Sequence, residues 1–161
     1  MKAVIMAGGK GTWISSVASD IPKPMIKIED KSVLEHEIEC LREQGFTDLI
    51  ITVSHLGHII MDYFRDGSEV SPVTGHPFGV HIEYFVEEIP LDNAGALYKL
   101  KDKLTEDFLL LNADAVFDVD FHRFVEYHRE KGGLVTLFSH PNSHPYDSGV
   151  IVASQNGSVE R

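Results

Sequence analysis

The chain has 161 residues, 43% of them hydrophobic, which is enough for one domain with a real core and excludes a disordered chain. Its net charge of −11 argues against a general nucleic-acid binder, because such proteins carry excess positive charge to displace counterions from phosphates. No apolar run reaches membrane-spanning length and no separate cleavable hydrophobic region precedes the first strand pattern, so the expected location is the cytoplasm.

Residues 2–6 form a short apolar strand that stops in the run Ala7-Gly8-Gly9-Lys10-Gly11-Thr12. Three glycines there let backbone N–H groups converge on an anion without side chains intervening, a geometry that suits a triphosphate. Neither common glycine fingerprint is met: the third glycine of a dinucleotide loop is missing, and no Gly-Lys-Ser/Thr closes a Walker loop. A little further on, Pro22 and Pro24 flank Lys23. Each proline pushes its preceding residue toward an extended conformation, so Lys23 is expected on a stiff extended strip, where settling against a phosphate costs less entropy. Taken singly, each segment also reads as an ordinary surface turn. Charge supports the ligand reading: residues 1–31 hold five lysines against three acids, while the remainder holds nine basic and 22 acidic residues.

A helix is predicted over residues 32–44, with Leu34, Ile38 and Leu41 on one face and Gly45 as its stop. A β-branched strand follows at 49–53, then a helix carrying Leu56, Ile60 and Phe64 at helical spacing. Residues 67–79, with three glycines and two prolines, are expected as a surface excursion mobile over the site. A strand at 80–86, a helix at 93–104 and a fully buried strand at 108–111 come next, and Asp114 falls just past the last. A helix at 121–131 is expected to bury Phe121, Phe124, Val125 and His128, with further strands near 134–139 and 150–153. This alternation predicts an α/β fold of Rossmann-like, three-layer type, with a mostly parallel central sheet and ligands at the carboxyl ends of its strands. Cys40, the single cysteine, is assigned to packing, and His140, His144 and Asp147 in their proline-containing loop make no zinc set.

The glycine run, Pro22-Lys23-Pro24-Met25, Ser32-Val33-Leu34-Glu35-His36-Glu37-Ile38, Pro90-Leu91-Asp92-Asn93-Ala94-Gly95-Ala96-Leu97 and Leu111-Asn112-Ala113-Asp114 together resemble the sugar-1-phosphate nucleotidyltransferases. The likeness spans nearly all of the chain and is nearest to the mannose- and heptose-1-phosphate guanylyltransferases. It implies a nucleotidyltransferase fold, with residues 1–161 as the N-terminal, nucleotide-binding part of one domain. It also implies attack by a sugar-1-phosphate oxygen on the α-phosphorus of a nucleoside triphosphate, releasing pyrophosphate.

In that reaction Ala7, Gly8, Gly9, Lys10, Gly11 and Thr12 would hold the triphosphate, with Asn93 and Ala94 also at the nucleotide. Lys23 would approach the reacting phosphate and Asp114 would bind Mg²⁺. Taken alone, Asp114 reads equally as a turn or cap residue after a strand. Asp118 and Asp120 are left out of the metal set, Asp120 reading as the N-cap of the following helix. Glu87 stands where the family places a residue at the base edge. An ionised carboxylate only accepts hydrogen bonds, which favours GTP through guanine's N1–H and amino group; the plainer reading is a solvated glutamate at a strand end. The resemblance extends to a homo-oligomer or a HAD-type phosphatase as partner, and gives no role for nucleic acid or membrane.

Three departures point to weakened turnover. Trp13 stands where the family has an arginine, and an indole cannot replace a guanidinium beside a triphosphate. Asp92 and Ala113 each replace a glycine. The sequence also stops at Arg161, before the family's sugar-side segment and second metal aspartate. The rival expectation is a non-catalytic nucleotide-binding or interaction module that keeps the fold.

Overall fold

The protein's structure, a computed structural model, describes residues 1–9, 20–89, 91–139 and 149–160, and these fall into two compact units, Met1–Asp120 and Phe121–Arg161. The first unit holds β1 (Ala3–Ala7), a 3₁₀ turn (Lys23–Met25), a small antiparallel hairpin of β2 (Lys27–Ile28) and β3 (Lys31–Ser32), and α1 (Val33–Glu43). It continues through β4 (Asp48–Val53), α2 (Gly57–Phe64), β5 (His81–Val86), α3 (Asp92–Leu100) and β6 (Leu109–Asn112).

Four strands form one parallel sheet in the order β5-β4-β1-β6. The chain therefore builds outward from β1 through β4 to β5, then crosses back to lay β6 on the other side of β1. Right-handed crossovers put α1 and α2 on one face and α3 on the other, which makes the three layers expected from the alternation. The central strands β1 and β4 are apolar on both faces because both faces are covered. On the α3 side, Val4, Ile50 and Leu100 form a buried cluster with Met6, Phe85, Leu97, Leu104 and Phe108 around it. Leu34, Ile38 and Leu41 of α1 are fully buried, as their spacing predicts, and the Ser32 hydroxyl caps this helix by accepting from the Glu35 N–H at 3.2 Å.

Several expectations need correction. The 67–79 excursion is fastened to both α1 and α2: Phe78 is buried against Phe64 of α2, while the Ser71 hydroxyl donates to Glu35 and Arg42 donates to the Pro77 carbonyl at 3.1 Å. It enters β5 at the strand's amino end, where His81 pairs with Asp48, so it packs along a helix and approaches the sheet at the edge away from the glycines. The predicted helix at 93–104 ends at Leu100; residues 101–103 form a turn that still brings Leu104 into the core. β6 is an edge strand within the described sheet, so only Leu109 and Leu111 are buried and Leu110 faces out.

In the second unit α4 (Phe121–Lys131) forms where predicted. Phe121 is buried, whereas Phe124, Val125 and His128 are half-buried. Residues 134–139 and 150–153 do not form the expected strands; the isolated bridge Ala153 to Val159 is the only pairing among the described residues there. β propensity alone does not make a strand without a neighbour to pair with, and Leu134, Val135, Phe138 and Val150 are exposed.

Candidate functional site

The sheet order reverses between β1 and β6, and in open parallel sheets ligands settle at the carboxyl ends of the strands at such a point. The register shows which residues meet there. Met6 is level with Thr52 and Asn112, and Val53 is level with Val86. Continued past the strand ends, this register makes Glu87, Ser54, Gly8 and Asp114 the next row of positions on the four strands. Two bonds hold this continuation: the Ala113 N–H donates to the Met6 carbonyl at 3.2 Å, and the Glu87 N–H donates to the Val53 carbonyl at 2.8 Å.

Side chains tighten the row. The Ser54 hydroxyl donates to the Gly8 carbonyl at 2.5 Å. Ser54 is held in turn by a tight exit from β4: the Gly57 N–H bonds the Ser54 carbonyl at 2.9 Å and Leu56 takes a left-handed φ of 60°. Glu87 is 8% exposed; its Oε2 accepts from the Leu91 N–H at 3.1 Å, and its Oε1 lies over Gly8. A β-carbon on Gly8 would come within 2.4 Å of that oxygen, so a side chain at position 8 would have to displace the end of Glu87. A β-carbon on Gly9 would meet nothing within 4 Å among the described residues.

The predicted residues are thus brought together unequally. Ala7, Gly8, Gly9, Glu87 and Asp114 share the carboxyl edge of the sheet. Asn93 and Ala94 sit in the first turn of α3, reached directly from β5, and Lys10, Gly11, Thr12 and Trp13 lie outside the described residues. α1 returns to the amino end of β4, so its own amino end is at the carboxyl edge, and the Val33 N–H bonds the Ile26 carbonyl at 3.0 Å to hold the Lys23 turn there. Lys23 itself is not extended. Pro22 is, with φ −68° and ψ 146°, but Lys23–Met25 closes into a 3₁₀ turn through bonds from Met25 and Ile26 back to Pro22 and Lys23. The preference imposed by Pro24 is a bias that these two hydrogen bonds outweigh. Ala113 is not among the non-glycine residues with positive φ, so its replacement of a glycine costs no backbone strain.

Asp114 is exposed at the end of β6, and Glu37 of α1 is buried beside it. Burial is the main cause that pushes the Glu37 carboxyl up to about 9; the Ala115 N–H opposes the shift and the Asp114 charge adds to it. The carboxyl is therefore protonated at neutral pH. Neither of its oxygens makes a hydrogen bond of normal geometry among the described residues. Burial also raises the Cys40 thiol, one turn further along, which fits the packing role expected for it.

No group of three or more His, Cys, Asp or Glu stands together as a metal cage among the described residues. One exposed carboxylate at a strand end is the donor set that suits Mg²⁺, which keeps most of its waters and takes phosphate oxygens as its other ligands. No helix among the described residues is long and apolar enough to cross a membrane.

The model of the nucleotidyl transferase family matches residues 2–161. The chain belongs to that family. It is 37% identical, over 99% of its length, to a UTP–glucose-1-phosphate uridylyltransferase from Synechocystis, of which it covers 42%. It is 36% identical, over 76% of its length, to a D-glycero-alpha-D-manno-heptose 1-phosphate guanylyltransferase from Campylobacter jejuni, covering 52% of it. Its structure resembles HddC from Yersinia pseudotuberculosis complexed with GMP-PN, with a TM-score of 0.64, 30% identity, and coverage of 79% of this chain and 53% of that one. The chain spans about half the length of the curated relatives it matches.

Two participants in the site have no place in the sequence prediction. Ser54 lies one residue past a predicted strand, and its role follows only from the register with Gly8. Glu37 is three residues from Leu34 and four from Leu41, a spacing that already sets it beside the apolar stripe of α1.

Proposed function

We propose that this chain carries the nucleotide side of a sugar-1-phosphate nucleotidyltransferase that prefers GTP and accepts mannose- or heptose-1-phosphate. The observation that carries this reading is the row Glu87, Ser54, Gly8 and Asp114 at the point where the strand order reverses. In the reaction an oxygen of the sugar phosphate attacks the α-phosphorus, the bond from that phosphorus to the β-phosphate bridge breaks, and pyrophosphate leaves with the bonding electron pair. The chain's task is alignment and charge neutralisation. Residues 8–12 hold the triphosphate through backbone N–H groups, and Lys23, on a turn stiffened by two prolines, meets the charge that grows on the phosphate oxygens. Asp114 would hold a Mg²⁺ ion, which would supply further neutralisation of those oxygens when bound.

Preference for guanine rests on Glu87. With Oε2 occupied by the Leu91 N–H, Oε1 is the acceptor left to face a base, and it suits the donor edge of guanine. The heptose 1-phosphate guanylyltransferase and the HddC complex with GMP-PN support this choice, and the uridylyltransferase relative supplies the competing one. Trp13 favours a second reading, a nucleotide-binding module without turnover.

Calorimetry with Mg²⁺ and each of GTP, UTP, CTP and dTTP tests the proposal, joined to pyrophosphate release with mannose-, heptose- and glucose-1-phosphate. Selective GTP binding with release is expected, and Asp114→Asn should lower release by about 10²-fold. GTP binding without release, restored by Trp13→Arg, identifies an enzyme damaged at that position. UTP preference with glucose-1-phosphate overturns the guanylyl assignment.

A further inference from the structure

β1 leaves its strand pattern at Gly8. Two residues earlier the Met6 carbonyl faces β6 and accepts from the Ala113 N–H, and carbonyls two apart on a strand face the same neighbour. The Gly8 carbonyl accepts instead from the hydroxyl of Ser54, the residue that follows β4 on the opposite side of β1 from β6. No peptide bond among the described residues is cis, so the bond joining Gly8 to Gly9 is planar and trans, and its N–H points opposite to its C=O. A carbonyl held by Ser54 therefore directs the Gly9 N–H away from Ser54, toward the side where β6 ends and Asp114 follows. Among the described residues that N–H has no backbone acceptor.

The donor is itself fixed in place. The Gly57 N–H closes a turn on the Ser54 carbonyl, Leu56 takes a left-handed φ of 60° that a leucine rarely adopts, and a β-carbon on Gly57 would come within 2.8 Å of the Val53 β-carbon. None of these features uses the Ser54 hydroxyl. A serine after a strand ordinarily turns its hydroxyl to backbone a residue or two further on, whereas this one reaches a carbonyl 46 residues away. The turn does without the hydroxyl; the Gly8–Gly9 peptide depends on it. Between two glycines a peptide can face either way at little cost, so a hydrogen bond from outside is what selects one orientation.

We infer that Ser54 is a positioning residue for phosphate binding, whose hydroxyl sets the Gly8–Gly9 peptide so that the Gly9 N–H is presented to an anion at the carboxyl edge of the sheet. This rests on the reading of the glycine run as the triphosphate site. With the hydroxyl in place the peptide is ordered before the anion arrives; without it, that ordering is taken from the binding free energy.

The test uses the full 161-residue chain labelled with ¹⁵N-glycine, and inorganic tripolyphosphate with Mg²⁺ as the probe. Calorimetry gives the affinity, and NMR follows the Gly9 and Gly57 amides. The parent should bind the probe with a downfield shift of the Gly9 amide proton. Ser54→Ala should weaken binding by about tenfold and remove most of that shift, while Gly57 exchange stays parental because the turn survives. Ser54→Thr, which keeps the hydroxyl, should bind within about threefold of the parent. If Ser54→Ala fails to fold, Ser54→Cys repeats the measurement with a weak donor of similar size. Parental binding and a parental Gly9 shift in Ser54→Ala defeat the role of Ser54 and leave the triphosphate site standing. Equal losses in Ser54→Ala and Ser54→Thr overturn it, because the hydroxyl would then not be what matters. Faster Gly57 exchange accompanying the loss overturns it too, since Ser54 would then act through the turn. A folded parent that binds neither the probe nor any nucleoside triphosphate removes the triphosphate reading and this inference with it.

Discussion

Glu35 and Glu37 stand on opposite flanks of the apolar stripe of α1, both fully buried and only two residues apart. Glu35 is satisfied: it accepts from the Tyr63 hydroxyl at 2.8 Å and from the Ser71 hydroxyl, and so ties α1 to α2 and to the 67–79 excursion. Glu37 faces the segment after β6 with neither oxygen in a normal hydrogen bond among the described residues. The two flanks show that burying an acid serves two ends. A partnered carboxylate is part of the frame, and removing it strands its donors. An unpartnered carboxyl weakens the frame, and here it lies on the flank next to Asp114.

The strongest way to break this contrast is Glu35→Ala. It leaves the buried Ser71 hydroxyl and the half-buried Tyr63 hydroxyl without their acceptor and should cost about 4 kcal/mol in urea unfolding. A loss under about 1 kcal/mol would mean that the partnered flank is not part of the frame.

Glu37→Gln should move stability in the other direction. The folded Glu37 carboxyl keeps its proton up to about pH 9, whereas in the unfolded chain it releases it near 4.5. Between those values the native state binds more protons than the unfolded state, so parental stability falls as pH rises. Glu37→Gln removes this slope and should be more stable by roughly 3 kcal/mol at pH 7, with the gain gone below about pH 4.5. Parallel stability profiles for parent and variant across this range would refute the assignment. Asp114 and Cys40 are the neighbouring groups to hold constant in that comparison.

Tyr63→Phe sharpens the contrast at a smaller scale, since one of two donors to Glu35 is lost while the ring packing against Phe64 and Phe78 survives. A loss of about 1.5 kcal/mol by thermal unfolding is expected. Mn²⁺ binding should not change, because this flank faces away from Asp114.

Where periodicity and burial agree, the fold was legible from the residues. β1, β4 and α1 form as predicted because their apolar residues are spaced for elements covered on the faces those residues occupy. The position of Asp114 past a strand was legible for the same reason. What was not legible depends on distant partners. The conformation of Lys23 is decided by two hydrogen bonds that outweigh a local proline preference. The 67–79 excursion reads as free chain until Phe78 finds Phe64. Residues 134–139 look like a strand because strand propensity is local, whereas pairing needs a neighbour that propensity does not supply. Ser54 carries no signal of its own; only alignment of β1 with β4 reveals it.

The contact between Gly8 and Glu87 reaches beyond this one chain. Because the Glu87 carboxyl fills the volume that a β-carbon at position 8 would need, the two positions are one packing unit made of residues 79 apart in sequence. A larger residue at 8 is tolerable only with a shorter or redirected one at 87. Any redesign that changes the residue at 87 will therefore also change the space open to a side chain at position 8, and the two positions are to be varied as a pair.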